Sequence, residues 1–543
     1  MEFTVDERFI KIPVRYGAER IKILFKKDGR PVFEINTRYD AENPDHVYYA
    51  DMSRFYDKKE SFEVEVIPER EVKLEKSEYR PKYDGENPDR EPDTLRPLIH
   101  FTAPEGWIND PNGLCFYGGK YHIFYQLNPY GRDWSNMTWG HAVSDDLVNF
   151  THLDIALFPD ETGDMFSGSA LVDYDNILGE NCDENTPAML LYYTAAGKQS
   201  AASADREYEQ YIAVSRDGGA TFEKRPKPII PHIAADNRDP KVVYCRESGE
   251  YVLSLYFEKS RFGIFKSRDL VSWEKVCELT IEGDDECPAF YPLESPEGRK
   301  WVLQGAFDKY VIGTFDGKSF TPEVTGALGY THNSSPDSQT IAYAAQSFTD
   351  LPDGRTVRYL WVKTLPKKCG CFNGCLSIPQ ELSIKKLDGK LMLCAMPSAE
   401  VETLRKGTPS KGRIDGEGSL SLGGAANDIA FTFDETAHGV TTLSVMGAAF
   451  VFDFDAKTLS WTSDAGCVNM AHIFPTDGKY DVRIITDTLC TELFACGGAV
   501  YFCTNDPLDV ETPRAEITGG NAAEYELYAL KKMKISDKRS FVK

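Results

Sequence analysis

The chain has 543 residues and a mass of 61.0 kDa, beyond the roughly 250–300 residues at which a single core stops growing, so two or three domains are expected. Its 41% hydrophobic, 12% aromatic and 27% charged residues are the composition of a folded soluble protein, and a formal charge of -24 without a basic stripe excludes nucleic acid and anionic membrane surfaces as partners. No segment approaches the ~18 consecutive apolar residues of a membrane span.

In chain order, Met1 to Glu7 shows neither a basic leader nor an apolar core, and the thirteen cysteines are scattered. Together these predict reduced thiols and a cytoplasmic location. Residues 1–70 form a predicted β module, in which Ile21-Lys22-Ile23-Leu24-Phe25 and Val32-Phe33-Glu34-Ile35 flank an Asp28-Gly29 turn as a hairpin would. Residues 71–95 are charged, proline-containing and poor in apolar side chains, as in a linker.

Residues 96–390 carry a loose repeat. Five apolar strands stand at comparable places, at 121–126, 189–194, 251–257, 301–305 and 358–362. Between several of them an acidic turn ends in an aromatic residue, at 144–150, 215–222, 267–273 and 315–320. A repeat of roughly 50–70 residues with several strands in each copy predicts the blades of a five-bladed β-propeller, the alternative being a sandwich with look-alike hairpins. Residues 405–540 turn to Gly-rich alternating strands such as Ile429-Ala430-Phe431-Thr432-Phe433, which predict a C-terminal β-sandwich. Helical periodicity is scarce throughout, so the fold class is all-β.

Three acidic residues precede repeated strands at comparable distances. Asp110 lies in Trp107-Ile108-Asn109-Asp110-Pro111-Asn112-Gly113, which has the composition of a turn that takes the chain out of regular pairing. Asp239 lies in Arg238-Asp239-Pro240, where the adjacent cation is expected to keep it ionised. Glu286 lies in Glu286-Cys287-Pro288. Equivalent positions on the innermost strands of a propeller converge on one end of its channel, so the three are expected to share a site, and Glu286, close to Asp110, is expected to have a raised pKa because like charges oppose joint ionisation. The cluster Cys369-x-Cys371-x3-Cys375 lacks zinc-site spacing and a nearby His, and is read as three free thiols.

The stretch from Arg96 to Leu382 resembles the catalytic domain of glycoside hydrolase family 32, which includes invertases, inulinases and levanases. Arg96-Pro97-Leu98-Ile99-His100-Phe101 with the run from Trp107 to Gly113 resembles its opening motif. Phe166-Ser167-Gly168-Ser169-Ala170 resembles the second, and Arg238-Asp239-Pro240 and Glu286-Cys287-Pro288 resemble two more. By that resemblance Asp110 is the nucleophile, Glu286 the acid/base and Asp239 the residue that steadies the transition state. Asn109, Gln126, Trp134, Phe166, Ser167 and Arg238 match positions lining a terminal-fructose subsite. The resemblance implies a retaining hydrolase that releases terminal fructose from sucrose, fructooligosaccharides or fructans through a fructosyl-enzyme intermediate. It implies no metal and no organic cofactor. A fructosyltransferase with the same residues and a non-catalytic fructan-binding protein are the alternatives.

The chain also departs from the family pattern. Ala289 stands where an acidic residue is common, and Trp361-Val362-Lys363-Thr364-Leu365-Pro366 and Phe372-Asn373-Gly374 differ from the usual aromatic-rich segments. These changes leave the leaving-group side of the pocket open. The N-terminal module is additional to a two-domain plan and offers a surface for a subunit contact in a homo-oligomer.

Overall fold

A computed structural model describes all residues except 84–94, 184, 329–330, 333–340, 349–350, 365–369, 464–465, 467 and 506–507. Each repeated apolar segment coincides with the second strand of an antiparallel sheet: Lys120–Asn128, Ala188–Ala196, Glu250–Glu258, Lys300–Gln304 and Thr356–Val362. Each of these pairs with a preceding first strand, respectively Gly106–Tyr117, Asp164–Asp173, Arg238–Cys245, Ala289–Leu293 and Ala342–Ser347. The first strands lie against one another in succession, and Ala342–Ser347 returns to Gly106–Tyr117. Among the described residues, therefore, five sheets close into a ring as the blades of a β-propeller.

The acidic turns join third to fourth strands in the first four blades. Asp146, Asp217, Asp269 and Asp316 each accept hydrogen bonds from two backbone N–H groups of their own turn. That satisfies donors which a tight connection would otherwise leave unpaired, and it explains why the turn recurs with an acidic residue at one place.

Among the described residues, two further sheets have seven and six strands and enclose a core that includes Ile429, Phe431, Phe433, Phe450, Phe452 and Trp461. This is the β-sandwich. It is tied to the propeller by His100, which is wholly buried and donates from Nδ1 to Asp487 Oδ2 and from Nε2 to Glu492 Oε1, both at 2.8 Å.

The N-terminal module has sheets of four and three strands around Phe25, Phe33 and Tyr48. Its hairpin turns at Asp28 and Gly29, with φ of 51° and 75°, the left-handed pair that a two-residue turn between twisted strands requires. Three boundaries differ from expectation. Glu75–Ser77 pairs with Phe9–Val14, so the module extends into the stretch read as a linker; residues 84–94 of that stretch lie outside the described residues. The fifth blade runs on to Lys390–Pro397. Ile535–Asp537, counted with the sandwich, adds in parallel to Phe150–Leu157 of the first blade. The eleven described cysteines are free thiols, and Cys369 lies outside the described residues.

Candidate active site

Side chains alternate along a regular strand, so a first strand sends successive residues to opposite faces of its blade. Near their starts four of the five first strands break that rule. Register shifts fall between Ile108 and Pro111, Phe166 and Gly168, Arg238 and Lys241, and Tyr343 and Gln346. These are β-bulges, which leave residues unpaired and re-aim them. Asn109, Asp110, Ser167 and Asp239 are such residues. The run around Asp110 is thus a bulge inside Gly106–Tyr117 and not the expected turn. Pro240 is accommodated because a bulge relieves it of a ladder hydrogen bond. At Gly168 a Cβ would run into the backbone carbonyl of Tyr192, so the bulge that presents Ser167 needs glycine after it. Glu286 and Cys287 lie just before the fourth blade's first strand, with φ of 54° and 41°, and Asp239 has φ of 65°. Left-handed backbone at three non-glycine residues persists only where the surroundings over-determine it.

Asp110 is 9% exposed and accepts hydrogen bonds from Ser167 Oγ at 2.6 Å and Asn109 Nδ2 at 3.1 Å. Asn109 Oδ1 in turn accepts from Trp107 Nε1 at 2.9 Å. Asp239 is 6% exposed; its Oδ2 accepts from Cys287 N at 3.0 Å, and its own N–H donates to Thr194 Oγ1 at 2.9 Å. Cys287 Sγ lies 3.5 Å from both Asp110 Oδ2 and Asp239 Oδ2, so a single atom sits between the two carboxylates. Arg238 donates from Nη2 to Glu286 Oε1 at 2.9 Å, holds Nε 3.7 Å from Asp239 Oδ2, and lies 4.6 Å over the Tyr256 ring. Asp239, Glu286 and Cys287 each bring a ligating atom within 4.8 Å of the others. That spacing suits a cation, and the Arg238 guanidinium supplies one there.

Burial raises the pKa of Asp110, opposed by the Ser167 hydrogen bond and reinforced by the like charge of Glu286. The opposition of like charges, expected to act on Glu286, is seen acting on Asp110. Burial carries Asp239 up to about 7, outweighing the Arg238 cation that was expected to keep it ionised. Taking a carboxylate out of water costs more here than one cation at 3.7 Å returns. Glu286 is the wetter member, with its side chain 36% exposed.

Aromatic rings surround the carboxylates. Trp134, 46% exposed, meets Phe166 edge-on at 5.8 Å, and Phe166 meets Tyr208 at 5.7 Å. Trp107 meets Trp361 at 5.3 Å, and Tyr343 lies 6.3 Å from Trp361 and 5.0 Å from Phe307. Lys363 Nζ sits 4.4 Å over the Tyr343 ring and 5.0 Å over that of Trp361. Burial lowers the pKa of this lysine while Asp110 and Glu286 act to raise it, so its charge lies in the field of both carboxyl groups. Ring faces beside fixed hydrogen-bonding groups suit a polyhydroxylated ligand.

The model for the glycosyl hydrolases family 32 N-terminal domain matches residues 100–395, more than half of the chain. The chain belongs to glycosyl hydrolase family 32. It is 33% identical over 405 residues to a levanase of Bacillus subtilis, a match covering 67% of this chain and 55% of the levanase. It is 28% identical over 414 residues to an extracellular exo-inulinase of Aspergillus awamori, covering 68% and 73% of the two chains. The crystal structure of that species' exo-inulinase superposes with a TM-score of 0.73 at 22% identity, over 82% of this chain and 99% of the other. A GH32 β-fructofuranosidase of Bombyx mori gives 0.65 at 25% identity, over 81% and 94%.

Within this family 32 chain, the residues singled out in the sequence fall around one site. Asp110, Asp239, Glu286, Asn109, Ser167 and Arg238 are linked by the contacts above. Trp134 and Phe166 form an aromatic edge. Gln126 is 1% exposed and donates from Nε2 to Met165 O at 2.9 Å, so it holds the strand that carries Phe166. Ala289, the departure after Glu286-Cys287-Pro288, is 2% exposed in an apolar core, where an alanine is well placed. Cys287 and Lys363 are residues of this site that the sequence does not mark. Cys287 was visible only as a neighbour of Glu286, and Lys363 only as a member of a divergent segment whose residues Leu365 and Pro366 lie outside the described residues.

Proposed function

We propose that the chain is a retaining fructoside hydrolase that releases terminal fructose from sucrose, fructooligosaccharides or fructans. The observation that carries this reading is the convergence of three carboxyl groups from three blades, with Cys287 Sγ between Asp110 and Asp239 and Arg238 between Asp239 and Glu286. In this reading Asp110, held by Ser167 and Asn109, attacks the anomeric carbon. Glu286, the most solvent-accessible of the three, protonates the departing oxygen and then takes a proton from the water that releases fructose. Asp239 accepts hydrogen bonds from the sugar hydroxyls and faces the positive charge that develops on the ring. The names of the relatives, levanase and exo-inulinase, support a fructan or fructooligosaccharide substrate. Nine buried thiols among the described cysteines, all free, support a reducing compartment.

Asp110→Asn and Glu286→Gln are each expected to lower fructose release from sucrose or a short fructan by roughly a thousandfold or more, with an unchanged circular dichroism spectrum. Wild-type turnover in either variant would overturn the assignment. Chromatography of the products at high sucrose reads the partition of the intermediate: free fructose supports hydrolysis, and lengthened oligosaccharides would assign transfer instead.

A further inference from the structure

The N-terminal module reaches the pocket wall through an edge strand. Arg30–Thr37 is the last strand of its sheet and pairs on one side with Ile21–Lys27. Its other edge presents unpaired backbone groups, which proteins normally cover. The cover here is a side chain of the first blade. Asn136 Oδ1 accepts from Asn36 N at 2.8 Å and Asn136 Nδ2 donates to Asn36 O at 2.8 Å, so the amide takes the place of a neighbouring strand. The same Nδ2 also donates to Asn128 Oδ1 at 2.9 Å, and Asn128 Nδ2 donates to Asp133 O at 2.7 Å. Asn136 has φ of 47°, a conformation that asparagine tolerates.

The rest of the loop is held on the same face. Thr37 Oγ1 donates to Tyr130 O at 2.6 Å, Arg38 Nε donates to Asp133 Oδ2 at 2.5 Å, and Arg20 Nη2 lies 3.1 Å from the same carboxylate. The Tyr130 ring is 1% exposed within the module's own core. Trp134 lies between Asp133 and Asn136 in this clamped segment and faces Phe166. A second contact reaches the neighbouring wall: Glu34 Oε2 accepts from Ala201 N at 2.7 Å, next to Gln199, whose Nε2 donates to Tyr208 OH at 2.7 Å.

We propose that the N-terminal module is a brace for the sugar-binding wall, with Asn136 as the positioning residue that couples its edge strand to Trp134. The inference rests on the functional reading above for the identity of the sugar, but not for the brace itself. A loosened Trp134 weakens ground-state binding while the carboxyl groups, fixed by bulges in other strands, keep their geometry. The signature is thus a split between KM and kcat.

The test uses the full chain with three substitutions. Asn36→Pro removes the outward N–H from an edge position that proline can occupy. Asn136→Gly keeps the left-handed backbone and deletes the amide. Asn36→Ala leaves both backbone bonds in place. For the first two, KM for a fructoside is expected to rise about tenfold with kcat within about threefold, and hydrogen exchange across 128–137 to quicken, since Asn36→Pro loses one hydrogen bond of ordinary strength and Asn136→Gly loses three. Asn36→Ala is expected to match the wild type. An unchanged KM in both variants, or a fall in kcat at unchanged KM, overturns the brace. A wild-type chain that releases no fructose would sink the functional reading instead. The exchange measurement then decides the brace alone, and unaltered protection of 128–137 in both variants overturns it.

Discussion

At Asp239 burial and a neighbouring cation pull in opposite directions, and burial prevails. A carboxyl whose pKa rises from 3.8 to about 7 binds its proton more tightly in the fold than in the unfolded chain. Its contribution therefore favours the folded state below about pH 4 and is lost as the pH climbs to about 7, by at most about 4 kcal/mol. Asparagine does not titrate. Asp239→Asn is expected to unfold at a higher temperature than the wild type at pH 8 and to lose that advantage at pH 4, as read by thermal denaturation. An equal shift at both pH values would contradict the assigned raised pKa. The site thus holds a carboxyl group that the fold would be more stable without, a common cost of function. Lys363 shows the limit of reading residues one by one. Nothing local marks it; only the folded fifth blade brings its ammonium over Tyr343 and into the field of Asp110 and Glu286.

At the scale of strands, the repeat is legible because blade packing buries the second strand on both faces, and such a strand is visible as a largely apolar run. The first strands were harder to see. They carry polar residues at their bulges, so their period is broken where the chemistry lies. Asp110 was for that reason expected in a turn, although Asn-Asp-Pro-Asn-Gly here continues a strand with two register shifts. The composition of a turn and of a bulge overlap, since both need residues that give up ladder pairing. Gly168 offers a direct check on the bulge. Gly168→Ala forces a methyl group against the Tyr192 carbonyl, and overpacking of this kind costs roughly 1–3 kcal/mol. It is expected to lower the unfolding midpoint and, by moving Ser167 off Asp110, to lower kcat as well. A variant with unchanged stability and kcat would show that the bulge does not set the site.

Across the whole molecule, the propeller and the sandwich meet on buried charge. His100 enters from the propeller side between Asp487 and Glu492. Asp487 also accepts from the N–H groups of Leu98 and Ile99, and Glu492 from Ile378 N, Gln380 Nε2 and Tyr501 OH. Burial opposes a charged ring, but Cys490 and the two carboxyl groups outweigh it and hold the His100 pKa well above 6.5. The contribution of a histidine raised in this way is fully present below pH 6.5 and is lost as the pH rises through its folded value. His100→Gln leaves buried carboxylates short of a cation and is expected to cost roughly 3–5 kcal/mol at pH 6, narrowing at alkaline pH, as read by denaturant unfolding. A difference that does not change with pH would contradict a charged ring.

In the proposed mechanism a bulge on the first blade presents Asp110 as the nucleophile. The most direct test of that role is peptide mass spectrometry of enzyme quenched with acid during turnover of a fructoside. The predicted result is one hexosyl unit on the peptide that contains Asp110, absent in Asp110→Asn. A hexosyl unit on the Asp239 or Glu286 peptide, or undiminished turnover in Asp110→Asn, would contradict the account.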